Sequence, residues 1–209
     1  DIVVFRTLAV YIYGVSLITS SPAQMIITRY IADRIFIKDY KALIPAFVAI
    51  VSASIIVHAI IGVIACMYLD LGFGTEIIAV ILFINIGTIW IAMILLSAAK
   101  EFLRIVHSFM IGSFLSIVAG YLLGKSFGLF GLAAGFTMGQ ILLVVLLMAQ
   151  IFTEFEYRRG LEFYFLSYFR KYTALAFIAT FYNLGVWADK FVFWFSSQTN
   201  EHIHGFLYA

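Results

Sequence analysis

Two opposite charges stand side by side near the end of the chain, within a stretch that is otherwise apolar and aromatic. Asp189 and Lys190 interrupt the run 173–195, and a charge inside an apolar helix is costly unless it faces protein or water. Residues seven apart lie on the same helical face, so Tyr182 and Asn183 share one broad polar face with this pair. Two interpretations stay open. The face lines an aqueous cavity, or the charges reach the membrane interface or pair with charges on other helices.

A second polar stripe lies in the first apolar run of the chain. Ser16, Ser20 and Gln24 follow one another at intervals of four residues, which places them on one helical face. Such a stripe either lines an aqueous cavity or hydrogen-bonds a neighbouring helix. Pro22 lies in the same run and cannot donate to the carbonyl of Ile18, so we expect a kink there, with nearby hydroxyls bonding the freed carbonyls.

The remaining candidates for chemistry are isolated. His58 lies in the middle of the second apolar run, where it is either part of a proton relay or a neutral histidine bonded to a neighbouring helix. Cys66 is the only cysteine, which excludes a disulfide framework and a cysteine metal site. Glu201, His202 and His204 resemble a metal site only superficially, because no further ligand is identifiable.

The sequence has no nucleophile elbow, P-loop or zinc-protease motif. We therefore predict a protein that is not an enzyme and holds no cofactor or metal.

The composition decides which elements must position these residues. Of 209 residues, 64% are hydrophobic and 11% are charged, which is too little polar surface for a soluble domain. Runs of roughly 20 apolar residues span a bilayer as helices, whereas barrel strands need only about 10. Six spans are predicted, at 7–28, 42–68, 77–98, 105–124, 130–152 and 173–195. The predicted fold class is all-α, a polytopic membrane helix bundle.

The loops between the spans set a direction. Three loops carry the basic residues, namely Arg29, Arg34, Lys38 and Lys41; Lys100 and Arg104; and Arg158, Arg159, Arg170 and Lys171. The alternate loops hold only Lys125, so the positive-inside rule predicts that the three basic loops face the cytoplasm. The first span then runs from outside to inside. A cytoplasmic N-terminus would need one earlier span, and we expect the sequence to be a fragment of a larger protein.

Small residues recur every four positions in the fourth and fifth spans. The stripes are Gly112, Ser116, Gly120 and Gly124, and Gly131, Gly135 and Gly139, preceded by Gly128. Small residues on one face let membrane helices approach closely. Static packing and sliding between helices of a moving transporter are both consistent with this pattern.

Two stretches resemble a known family. The residues Thr-Arg-Tyr-Ile-Ala-Asp-Arg at 28–34 and Trp-Ala-Asp-Lys-Phe-Val-Phe-Trp at 187–194 are similar to those of PelG-family exopolysaccharide exporters, in the multidrug/oligosaccharidyl-lipid/polysaccharide (MOP) flippase superfamily. The resemblance implies two six-helix lobes around a central cavity, with this chain covering helices two to seven. It implies N-lobe helices at 1–152, a cytoplasmic amphipathic connector at 153–172, and the first C-lobe helix with an outer loop at 173–209.

The resemblance also implies a function. It implies export of the Pel polysaccharide, an amino-sugar polymer of the biofilm matrix, across the bacterial inner membrane. The implied partners are the polysaccharide, membrane lipids, a cytosolic glycosyltransferase and other Pel membrane subunits, and no nucleic acid. The predicted substrate-cavity residues are Tyr13, Ser16, Ser20, Gln24, Tyr182, Asn183, Asp189 and Lys190, with Pro22 as a gating element. The alternatives are a noncatalytic scaffold that recruits the glycosyltransferase, and a lipid-linked oligosaccharide or drug flippase of the same superfamily.

Overall fold

Helices account for nearly all of the described structure. The computed structural model describes residues 1–99, 102–155, 160, 163–195, 201–203 and 206–208. The elements are α1 (Ile2–Phe36), a short 3₁₀ turn (Tyr40–Ala42), α2 (Leu43–Cys66), α3 (Phe73–Ala99), α4 (Phe102–Glu154), α5 (Phe165–Lys171), α6 (Thr173–Val186), α7 (Ala188–Phe195), β1 (Glu201–Ile203) and β2 (Phe206–Tyr208). The two strands form only a three-residue antiparallel pair. The all-α prediction is confirmed.

Four helices, α1 to α4, are long and apolar enough to cross a membrane. The longest, α4, has 53 residues, and its backbone leaves helical geometry at Gly128, where φ is 57° and ψ is −133°. The side-chain amide of Gln150 donates to the Ser108 hydroxyl at 2.6 Å, although these residues would lie about 60 Å apart in a straight helix. Residues 102–127 and 129–154 are therefore two antiparallel arms, and they correspond to the fourth and fifth predicted spans.

Small residues hold these two arms together. An added Cβ at Gly131 or Gly135 would collide with the backbone of the opposite arm, at Leu123 and Ala119 respectively. The Ser116 hydroxyl donates to the carbonyl of Phe136 at 3.0 Å and accepts from the Gln140 amide at 3.1 Å. The small-residue stripes thus form the contact surface between the arms, as close helix packing in lipid requires.

The main apolar core lies where α3 packs against α1, α2 and the arms of α4. Leu82, Ile86 and Leu95 of α3 are almost fully buried there. An apolar cavity of about 180 Å³ lies between α1, α2 and α3. The outer face of α2 instead exposes a band of large aliphatic side chains: Ile55, Ile56, Ile60, Val63 and Ile64. A band of this kind suits contact with lipid tails.

The last predicted span differs from the structure, and the connector is described only in part. The last span, predicted as one helix over 173–195, is broken at Trp187 into α6 and α7. The connector 153–172 is helical only over Phe165–Lys171 among its described residues, while α4 continues through Glu154. Residues 156–159, 161 and 162 of the connector lie outside the described residues. The cytoplasmic location and lobe assignment of these segments stay predictions.

Candidate functional site

Ser16 and Tyr13 lie at the contact between α1 and α3. The buried Ser16 hydroxyl accepts a hydrogen bond from the indole nitrogen of Trp90 at 3.2 Å and donates to the Tyr13 carbonyl at 3.1 Å. The Tyr13 ring meets the Trp90 ring edge-on, with centroids 6.5 Å apart. In this arrangement Ser16 bonds a neighbouring helix, which was one of the two alternatives for the stripe. A substrate-cavity role for Ser16 and Tyr13 stays a prediction.

The contact between Ser16 and Trp90 gives a first test. We expect Ser16→Ala to lower the free energy of unfolding by about 0.6 kcal/mol, the average for hydrogen bonds between membrane helices, and by no more than about 1.7 kcal/mol, the largest such value. Ser113→Ala is a matched control, because Ser113 is exposed on α4. Thermal unfolding of the purified protein in detergent, followed by circular dichroism, measures both variants. Equal stability of the two variants would contradict a stabilising role for the Ser16 bond.

Ser20 and Gln24 form the next turn of the stripe. The Gln24 amide donates to the buried Ser20 hydroxyl at 2.7 Å, and Ser20 donates to the Leu17 carbonyl at 3.3 Å. Gln24 is half-buried and lines an open groove of about 610 Å³ between α1 and α3, next to Trp90. Of the predicted stripe residues, Gln24 is therefore the one that faces open space.

Pro22 lies inside α1, which continues as a helix on both sides of it. The Ser21 hydroxyl donates to the Ile18 carbonyl at 2.7 Å, which is the acceptor that Pro22 leaves without its helical donor. The predicted compensation by nearby hydroxyls is present. Nothing in the structure tests the gating role of Pro22.

His58 joins three helices in the core. It is almost fully buried, and its Nε2 lies 3.1 Å from the Thr19 hydroxyl of α1. Its Nδ1 lies 2.8 Å from the Ser54 carbonyl, so a neutral ring with its proton on Nδ1 satisfies both contacts. The ring packs on Phe83 and on Gly87, where no Cβ intervenes. No acidic side chain is among the described contacts of His58, which favours a neutral structural histidine over a relay.

The polar face of the last span lies apart from the α1 stripe. Asp189 and Lys190 pair with each other at 2.8 Å, with 56% and 49% of their side chains exposed. Tyr182 is also exposed, while the Asn183 amide donates to the Ala179 carbonyl at 3.1 Å. A substrate-cavity role for Tyr182, Asn183, Asp189 and Lys190 stays a prediction.

The packing of α1 explains the separation. Trp187 rests on Gly14, whose missing Cβ leaves room for the indole ring. Gly14 and Ser16 are two positions apart and therefore point about 200° apart around the helix. The last span thus packs on one side of α1 while the serine stripe faces α3. In the described part of the chain, no hydrogen bond or ion pair joins the two predicted groups.

A polar cluster that could not be recognised from the sequence analysis lies at the end of α1. The Arg34 guanidinium lies between the rings of Tyr30 and Tyr164, at 5.0 and 5.2 Å, and pairs with Asp39 at 2.8 Å. The Tyr168 hydroxyl donates to Asp33 at 3.1 Å. Burial and the Asp33 carboxylate raise the pKa of Tyr168, so its hydroxyl stays protonated and can donate.

A second cation contact extends this cluster. Arg29 pairs with Asp33 at 3.0 Å and lies 5.6 Å from the ring of Tyr172. Hydrogen bonds from the neighbouring cations Lys171 and Arg29 lower the pKa of the Tyr172 hydroxyl. Tyr164, Tyr168 and Tyr172 recur every four residues, and this spacing is the signal from which one aromatic face could have been predicted.

No metal centre is present among the residues that the structure describes. No group of three histidine, cysteine or carboxylate residues is arranged there to hold an ion. Of the trio Glu201, His202 and His204, the first two lie in strand β1, and His204 lies outside the described residues.

Long apolar helices and a lipid-compatible outer face define a polytopic membrane protein. The model of the PelG family, described as "Putative exopolysaccharide Exporter (EPS-E)", matches residues 1–209. The chain therefore belongs to the PelG family, a family of exporters rather than of catalysts. No curated protein and no solved structure matches the chain.

Proposed function

We propose that the protein exports Pel-type exopolysaccharide of the biofilm matrix across the bacterial inner membrane, within a synthesis and secretion complex. The observation that carries this proposal is the family match over all 209 residues, on a chain built of membrane-length helices. A polysaccharide substrate and a membrane setting follow from the family. The Pel cargo, the inner membrane and the glycosyltransferase partner are the parts that we propose.

The transport path that we propose runs along two polar surfaces. One is the groove beside Gln24, and the other is the exposed pair Asp189 and Lys190 on α7. Charged side chains within membrane segments face protein or water rather than lipid, which supports an aqueous path along α7. Hydroxyl and amide groups of a saccharide would bond these side chains. Pro22 is the proposed gating element of the groove, because tilting of α1 at this residue would change the groove's width.

The organisation that we propose follows the resemblance of the two stretches. Residues 1–152 form N-lobe helices, 153–172 form the cytoplasmic connector, and 173–209 begin the C-lobe. Helix α5 packs on the end of α1 through its tyrosine face, so the connector is tied to the N-lobe. Trp187, directly after α6, packs on the opposite side of α1 from the serine stripe.

A scaffold role is the second candidate. Phe163 and Leu166 of the connector are more than half exposed, and exposed apolar residues beside basic ones suit docking of a partner protein. On that basis the connector recruits a cytosolic glycosyltransferase, and export itself belongs to other subunits. Substitutions in the connector should then abolish recovery of the glycosyltransferase, while substitutions on α7 should have little effect.

The experiment that tests export uses cells that lack the full-length gene. We expect the wild-type protein to restore polysaccharide at the cell surface, measured with a labelled lectin, and its loss to leave polymer inside the cell. Co-purification of the glycosyltransferase measures the scaffold role in the same cells. Normal surface polysaccharide without this protein would contradict the export function.

A further inference from the structure

A pocket of about 350 Å³ lies between the end of α1 and the start of α5. Its lining comprises Asp33, Arg34, Phe36, Ile37, Tyr164 and Tyr168. The cavity between α1, α2 and α3 and the groove beside Gln24 have no charged side chain in their linings. The volume falls within the range of small-molecule sites, about 300 to 1,000 Å³. Aromatic walls with a few convergent polar groups are the usual composition of such sites.

The charges of this pocket are balanced. Arg34 pairs with Asp39, and Arg29 pairs with Asp33. A site whose cations are already neutralised has little attraction for a phosphate dianion, which favours clusters of arginine or lysine. The balance instead suits a ligand that carries many neutral donors and acceptors.

The polar groups are oriented before any ligand arrives. Arg34 is held between two tyrosine rings, and Tyr30 beneath it is fully buried. Asp33 accepts one hydrogen bond from Tyr168 and one ion pair from Arg29, which leaves lone pairs on a carboxylate that can accept about four bonds. Side chains that are already fixed lose less conformational entropy when a ligand binds.

Tyr164 supplies the aromatic surface. Its side chain is 58% exposed while Arg34 lies over one face of its ring. A sugar ring has an apolar face of C–H groups that packs on an aromatic ring, and an edge of hydroxyls that bonds carboxylate and guanidinium groups. The pocket has all three of these groups in its lining: the aromatic ring of Tyr164, the carboxylate of Asp33 and the guanidinium of Arg34.

We propose that this pocket is a saccharide subsite, which holds one sugar ring of the exported polymer at the predicted cytoplasmic entrance. Tyr164 stacks on the ring, while Asp33 and Arg34 bond its hydroxyl or amide groups. The inference rests on the proposed export function, because it names a place where the cargo of that function first meets the protein.

The test measures saccharide binding by the full-length protein in lipid nanodiscs. The probes are the N-acetylglucosamine tetramer and maltotetraose, followed by saturation-transfer NMR and by titration. We expect Tyr164→Ala to weaken binding about tenfold, and Tyr164→Phe to leave it nearly unchanged because the ring remains. Tyr121→Ala is the matched control, since Tyr121 also stacks with a cation, Lys125 at 4.3 Å, but on α4.

Each outcome decides the proposal. Weaker binding by Tyr164→Ala, with normal binding by Tyr121→Ala, supports the subsite. Equal binding by Tyr164→Ala and wild type overturns it, and so does absence of wild-type binding at about 1 mM saccharide. Should Tyr164→Ala misfold, Tyr164→Leu keeps the apolar volume without the aromatic face and should show the same loss. Surface polysaccharide in complemented cells is measured separately, so failure of the subsite and failure of export are distinguishable.

Discussion

Replacing Gly135 by alanine should strongly destabilise the protein. The new Cβ would meet the backbone of Ala119 and Gly120 in the opposite arm of α4, and backbone atoms cannot rotate away. Overpacking usually costs about 1 to 3 kcal/mol, and we expect the upper end of this range because the arms themselves must separate. Thermal unfolding in detergent, followed by circular dichroism, measures the loss.

Gly185→Ala provides the matched control for this prediction. Gly185 lies in α6, and an added Cβ there would meet nothing within 4 Å. Since alanine favours a helix over glycine by up to about 1 kcal/mol, this variant should be as stable as the wild type or slightly more stable. A Gly135→Ala protein that unfolds at the wild-type temperature would show that the arms of α4 do not pack as closely as described.

The helices were predictable because hydropathy and length alone decide where a membrane helix runs. The spans 105–124 and 130–152 were predicted on either side of the reversal at Gly128, and four-residue spacing identified the small faces that join them. The break at Trp187 could not be predicted in the same way. Apolar character continues across it, and the position of Trp187 depends on its contact with Gly14 of another helix.

For the polar residues, the sequence predicted which face of a helix each one occupies, but not which residue it contacts. Helical spacing placed Ser16 and Gln24 on one side of α1, but the partner of Ser16 is Trp90, 74 residues away. Likewise, the tyrosines at 164, 168 and 172, in and next to α5, share a spacing of four, while the contact of Tyr164 with Arg34 depends on how α5 docks on α1. Periodicity within one helix gives the direction of a side chain and cannot name the helix that meets it.

Neutralising one member of the pair Asp189 and Lys190 should reduce polysaccharide export strongly. In Asp189→Asn or Lys190→Gln the remaining charge loses its partner at 2.8 Å, and the path loses a group that bonds saccharide. If α7 lines an aqueous path, water solvates the remaining charge, and the protein should accumulate normally while surface polysaccharide falls by about tenfold. Lectin staining of whole cells and immunoblotting of membranes measure the two quantities.

The double variant Asp189→Ala with Lys190→Ala separates the aqueous path from a pair that merely faces lipid. A lone charge exposed to lipid costs about 3 kcal/mol at the helix centre, so on a lipid-facing surface the single variants should accumulate poorly. Removing both charges there should restore both the amount of protein and its export. On an aqueous path the double variant accumulates normally and still fails to export, because the groups that bond the saccharide are gone. Normal export by the double variant would therefore exclude a role for α7 in the path.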